Sequence, residues 1–142
     1  MNMLYPKKVK FRKWHTMRRN PNRPRVETRG LEVVFGSHGL KAGTAARVRS
    51  NQIEAARKVI VRELKKTGKF WIRIFPDKPY TGKPAEVGMG KGKGDPQGYE
   101  FIVWPGRVMF EVDGLAPAVA VAVLRQAGSK LPLKTLVVER RH

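Results

Sequence analysis

The sequence predicts an α+β domain with a mostly antiparallel or mixed sheet, and three observations carry that expectation. Only two stretches have helical character, residues 51–67 and 115–128. Around them lie several short runs rich in Val, Ile, Phe and Trp, each bounded by Gly or Pro. The resulting order is two or three strands, helix, strand, long loop, hairpin, helix, strand, which is not the regular alternation of a parallel α/β fold. With 142 residues, 41% of them hydrophobic, the chain suits one domain with a modest core. The expected division is a basic N-terminal arm, residues 1–29, and a single domain, residues 30–142, with an extended loop at 76–98.

The arm holds ten Lys or Arg against one acid, Glu27, and is broken by Pro6, Pro21 and Pro24. It is too charged and too rich in proline to pack alone. Phe11 and Trp14 alternate with Lys10, Arg12, Lys13 and His15, an arrangement in which rings stack on bases or anchor the arm while cations meet phosphates. Such an arm is expected to order on RNA; a disordered tail is the plainer alternative.

"LEVVFGS" (31–37) reads as a strand, "LKA" (40–42) as its return after a Gly36–Gly39 turn, and "ARVRS" (46–50) as a weaker strand. Residues 51–67, "NQIEAARKVIVRELKKT", form the clearest helix. Asn51 and Glu54 fit a capping box and Gly68 a C′ position. Ile53, Ala56, Ile60 and Leu64 share one face, and Lys58, Arg62, Lys65 and Lys66 lie broadly opposite. That basic face suits phosphates, though a solvated polar face is equally ordinary.

"KFWIRIF" (69–75) is a strand with Phe70, Ile72 and Ile74 on one side and Trp71, Arg73 and Phe75 on the other. An exposed Trp–Arg–Phe row would stack on bases, while protein cover on both faces is the commoner arrangement. Pro76, Pro79 and Pro84 then deny ladder donors, so 76–98 reads as an irregular loop, and one too long for an ordinary connection. "YEFIVW" and "RVMFEV" flank Pro105-Gly106 as a hairpin. Pro117 and Gly128 bracket a small-residue, buried helix. "LKTLVVERR" (133–141) closes with a strand.

Charge dominates the functional reading. Thirty Lys and Arg face eleven Asp and Glu, a formal net charge of +19. A compact monomer repels itself at that charge, and a polyanion relieves the repulsion, with nucleic acid the strongest candidate. No apolar run approaches the ~20 residues of a membrane span, and the N-terminus lacks the apolar segment of a secretory signal. The expected location is the cytoplasm. Without cysteine there is neither disulfide nor thiolate metal site.

Catalytic and cofactor motifs fail on inspection, so no enzyme activity, cofactor or metal is expected. "GMGKGKGD" (88–95) matches neither the P-loop, because Lys93 takes the required glycine position after Gly88, nor G-x-G-x-x-G. His15, His38 and His142 are scattered. Ser37 and His38 are expected to point apart as strand neighbours, and Glu111 and Asp113 read as surface acids. What the glycine–lysine run does offer is a backbone that threads narrow places, amides that face phosphates, and the point charges of Lys91 and Lys93.

Several strings carry a family resemblance: "FRKWH", "FGSHGLKA", "QIEAARKVIVRELKKTGKFWIRIFPDKPYTGKPAEVGMGKGKGD", "PGRVMFEVDGL" and "KLPLKT". Together, from about Met3 to Thr135, the chain resembles bacterial-type large-subunit ribosomal protein sixteen. The resemblance implies an α/β-hammerhead-like fold and a structural role in the large subunit without catalysis. It also implies 23S ribosomal RNA, aminoacyl- and peptidyl-site tRNA and neighbouring ribosomal proteins as partners, and a late step in subunit assembly. On that likeness Lys7, Lys8, Lys10, Arg12, Lys13, Arg18, Arg19, Arg57, Lys58, Arg62 and Arg73 would contact ribosomal RNA. Lys83, Met89, Gly90, Lys91, Gly92, Lys93 and Gly94 would form a loop facing tRNA near the peptidyl transferase centre. One departure is Gly88, where many members carry an arginine that is hydroxylated in some. A cytoplasmic or an organellar ribosome fits equally, and the alternative function is a free, non-specific nucleic-acid-binding protein.

Overall fold

In the computed structural model, which describes residues 27–64, 68–81 and 96–141, two strands precede the first of two helices, four lie between the helices and one follows the second. The strands are β1 (His38–Ala42), β2 (Ala46–Arg49), β3 (Lys69–Ile72), β4 (Lys78–Thr81), β5 (Pro96–Val103), β6 (Val108–Asp113) and β7 (Thr135–Glu139). The helices are α1 (Ser50–Leu64) and α2 (Pro117–Gly128). The α+β class holds, with two antiparallel sheets: one of four strands in the order β3-β6-β1-β7, one of three in the order β2-β5-β4.

The centre of the larger sheet follows from one short sequence. Val108 through Val112 are all buried, and a strand buried on both faces must be interior. Accordingly β6 lies between β3 and β1, and Phe110 and Met109 are fully enclosed. The expected 99–104/107–112 hairpin therefore does not form. The turn is there: Arg107 N–H bonds the Trp104 carbonyl at 3.2 Å, and Gly106 has φ +100°, where glycine is favoured. But β5 pairs with β2 and β4, so the turn hands the chain from one sheet to the other. Beside it, Ala42 exchanges backbone bonds with Gly106 and Arg107 at 2.9 and 2.8 Å, closing the junction of the two sheets.

Helix α1 buries the predicted face, Ile53, Ala56, Ile60 and Leu64. It starts earlier than the expected capping box. Gln52 accepts the Arg49 N–H at 2.8 Å, the reach-back that had been expected of Glu54. Gly68 N–H bonds Leu64 O at 3.3 Å, and a Cβ there would meet Leu64 Cδ2 at 2.4 Å. Helix α2 begins with Pro117 at its N-terminus and is only half buried, through Ala120, Val123, Leu124, Ala127 and Gly128. Gly128 is its last residue rather than a C′ glycine; a Cβ there would strike Thr135 Oγ1 at 2.5 Å. The helices pack on each other, α2 also on β1 and β7 and α1 on β2, β3 and β5, enclosing Leu40, Val48, Phe110 and Leu124.

Two further expectations are corrected. The segment 76–98 contains β4 and the start of β5. Pro79 is tolerated because β4 is the edge of its sheet, and Pro96 because it is the first residue of its strand. Residues 31–37 form no strand. The amides of Val34, Phe35 and Gly36 converge on Glu111 Oε1 at 2.9, 2.8 and 2.9 Å. Three consecutive N–H groups reach one atom only if the backbone curls around it, whereas strand amides alternate in direction.

Candidate nucleic-acid interface

The basic face of α1 meets the end of α2 in an open groove of about 520 Å³, lined by Asn51, Glu54, Ala55, Lys58, Val59, Arg62 and Lys130. Lys58 and Arg62, four residues apart, stand one above the other on the helix and are exposed, as is Lys130. None of the three forms an ion pair among the described residues, so their charge faces solvent. Arg57 differs. Its Nε donates to Glu54 Oε1 at 3.0 Å and its Nη2 to the same oxygen. The Arg57 hydrogen bond holds the Glu54 carboxyl below its ordinary value, burial opposes this, and the charges of Arg57 and Lys58 add to the lowering. The same bond raises the Arg57 guanidinium. The groove is thus cationic at its rim, with the acid on its floor already engaged.

A second surface is built around Glu111. This acid was expected at the surface, yet it is fully buried. Its Oε1 collects the three loop amides, and Oε2 lies 3.0 Å from Arg73 Nη1. Arg73 also donates to the Glu32 carbonyl, and Arg107 Nη2 donates to the Arg73 carbonyl at 3.0 Å. Strand β3 turns Phe70 and Ile72 toward the core, with Ile74 beyond them buried, so Trp71, Arg73 and Phe75 occupy the other side. That side is partly roofed by Phe35. Its ring stacks on Trp71 with centroids 6.0 Å apart and 23° between planes, and the Arg73 guanidinium sits 5.6 Å from its centroid. The loop 31–37 therefore covers Trp71 and leaves Phe35 and Phe75 about half exposed.

Comparison with known families decides what this cationic α+β domain is: the family described as Ribosomal protein L16p/L10e matches residues 6–138. The chain belongs to that family. As an L16p/L10e protein it is a structural constituent of the large ribosomal subunit, and its partners are ribosomal RNA and ribosomal proteins. Among the described residues no helix is long and apolar enough to cross a membrane.

Of the positions that the L16p/L10e resemblance marks for RNA, the structure brings Arg57, Lys58 and Arg62 together on α1 and sets Arg73 apart beside Glu111. Lys7, Lys8, Lys10, Arg12, Lys13, Arg18 and Arg19 lie outside the described residues. So do Lys83, Met89, Gly90, Lys91, Gly92, Lys93 and Gly94, which fall between the paired ends of β4 and β5, where Thr81 faces Pro96. Sequence reasoning missed Lys130 and Phe35. A lysine just past a helix carries no signal of its own, and Phe35 was absorbed into an apparent strand.

Ser37 and His38 do not point apart, because Ser37 precedes β1 and escapes its alternation. Ser37 Oγ lies 2.9 Å from His38 Nδ1, and Glu139 Oε1 lies 3.7 Å from Nε2. The imidazole is 7% exposed while the Glu139 side chain is 77% exposed, so the contact lies at the surface edge of β1 and β7, which the backbone ladder already joins. Among the described residues no group of three His, Cys, Asp or Glu side chains could hold a metal ion.

Proposed function

We propose that this chain binds 23S ribosomal RNA in the large subunit and helps position aminoacyl-tRNA near the peptidyl transferase centre, joining the particle late in assembly and catalysing no reaction of its own. The observation that carries the RNA reading is the groove between α1 and the segment just past α2. There Lys58, Arg62 and Lys130 present charge that is unpaired among the described residues, in a chain of net +19. Phosphates are the complementary ligand. They supply affinity, while the folded shape of the RNA supplies specificity. The arm, residues 1–29, adds further cations and orders on the RNA, and residues 30–142 act as one domain. The glycine–lysine run at 88–95 reaches toward the tRNAs; that part of the reading rests on the family resemblance and on the chemistry of Lys91 and Lys93. The ribosome in question is taken to be cytoplasmic.

Lys58→Ala with Arg62→Ala tests the groove. Removing a cation that meets one phosphate reduces the slope of log K against log salt by about one. The double variant therefore binds large-subunit RNA more weakly at low salt, with the slope shallower by about two. An unchanged slope would mean that α1 faces solvent in the particle.

A further inference from the structure

The half-exposed ring of Phe35 poses a problem that stability does not solve. It is 54% exposed, beside Val34 at 51%, on a loop whose backbone is clamped by a fully buried carboxylate. Burying a carboxylate is costly, and this one is used to fix a loop that displays an aromatic ring to solvent. Gly36 tightens the clamp: a Cβ there would lie 2.4 Å from the Val112 carbonyl oxygen, so the chain next to Phe35 is pressed against β6. The ring is backed by Trp71, which pairs with Glu111 on β6, and flanked by the guanidinium of Arg73, whose backbone N–H bonds the Met109 carbonyl at 2.8 Å.

We propose that Phe35, supported by Trp71 and Arg73, is a stacking platform for one unpaired base of ribosomal RNA. The proposal rests on the RNA-binding reading above and names the ligand at a place that reading leaves open. Unstacked bases of folded RNA stack on aromatic faces held next to cations, and the contact tolerates any base because each has a π-face. Charge favours an RNA occupant over an apolar protein one. Lys69 lies on the same side of β3 as Trp71, and the Arg140 N–H bonds the Ser37 carbonyl at 2.8 Å, placing an exposed arginine next to the loop. Of the nearby acids, Glu111 is consumed by the loop amides and Arg73. Asp77 shares a cleft with Arg73 and Phe75, Asp113 and Glu139 line another with Gly36, Ser37 and Arg140, and Glu32 lies in the loop itself. What favours RNA is therefore the Arg73 guanidinium against the Phe35 ring, in a chain of net charge +19.

The test adds the full chain, as wild type and as Phe35→Ala, Phe35→Leu and Phe35→Trp, to large-subunit RNA particles lacking this protein, and measures affinity over a range of salt. Loss of one base stack weakens binding about 5- to 150-fold. Phe35→Ala shows that loss with an unchanged salt slope, Phe35→Trp binds like wild type, and Phe35→Leu, which keeps apolar bulk and the fold, resembles Phe35→Ala. One unpaired base protected from base-directed chemical probes by wild type becomes reactive with Phe35→Ala. Wild-type affinity for Phe35→Leu would overturn the platform in favour of an apolar partner, and wild-type affinity for Phe35→Ala would overturn it outright. In either case a steep salt slope for all four proteins leaves the broader RNA reading standing; failure of the wild type itself to bind would remove both.

Discussion

Glu111→Gln is the substitution with the most to say about how this fold presents its surface. The native carboxylate accepts three amides on one oxygen and meets Arg73 at 3.0 Å with the other. Glutamine keeps one acceptor and nearly the same volume, but it removes the charge and turns an NH2 group toward either the amides or the guanidinium. The Arg73 side chain is 18% exposed, so its charge is left largely buried without a counter-ion. Breaking a buried pair in this way costs about 3–5 kcal/mol. The amide still serves part of the loop and Arg73 retains the Glu32 carbonyl, which puts the expected loss near the low end, about 3 kcal/mol. A domain with a total stability of about 5–15 kcal/mol survives that, with a midpoint visibly lower. Urea unfolding followed by tryptophan fluorescence measures the loss. Amide hydrogen exchange supplies the local readout: Val34, Phe35 and Gly36 are protected in wild type although they lie in no strand, and exchange faster in Glu111→Gln. A stability change under about 0.5 kcal/mol, the ordinary range for surface positions, with unchanged exchange at these amides, would refute the clamp.

Two further outcomes follow from the same account. Lys91→Ala with Lys93→Ala leaves incorporation into large subunits largely intact and weakens aminoacyl-tRNA accommodation; equal tRNA binding by mutant and wild-type ribosomes would refute the loop's role. The folded Glu54 carboxyl lies below its ordinary value of 4.5, chiefly through the Arg57 hydrogen bond, so its stabilising contribution is present above that value and lost as pH falls through the folded one. Wild type is then more stable than Glu54→Gln near neutral pH, the two converge in acid, and parallel stability curves down to the acid transition would contradict the pairing.

Local physics made part of this fold legible. The period of Ile53, Ala56, Ile60 and Leu64 needs no distant partner, and the parity of Phe70 and Ile72 is set within one strand, so both were readable. The errors share a different cause. "LEVVF" has strand composition, but its backbone is dictated by Glu111, 75 to 77 residues away. Pro105-Gly106 does specify a turn, yet a turn fixes only a change of direction, and the buried run from Val108 to Val112 sends β6 into the other sheet. Three prolines hid β4, since edge position is a property of the sheet and not of the segment. The same division runs through the interface. Lys58 and Arg62 were found by helical spacing, whereas Lys130 joins them only because α2 packs on α1, and Phe35 meets Trp71 only because the clamp holds it there.

The central claim is that this L16p/L10e protein functions as a stoichiometric part of the large subunit, held there by ribosomal RNA. Quantifying it across a size-fractionated cell lysate tests that claim most directly. The account predicts about one copy per large subunit, little in the protein-sized fractions, and release only at high salt. A protein found mainly free, or spread over DNA and RNA of every size, would contradict it.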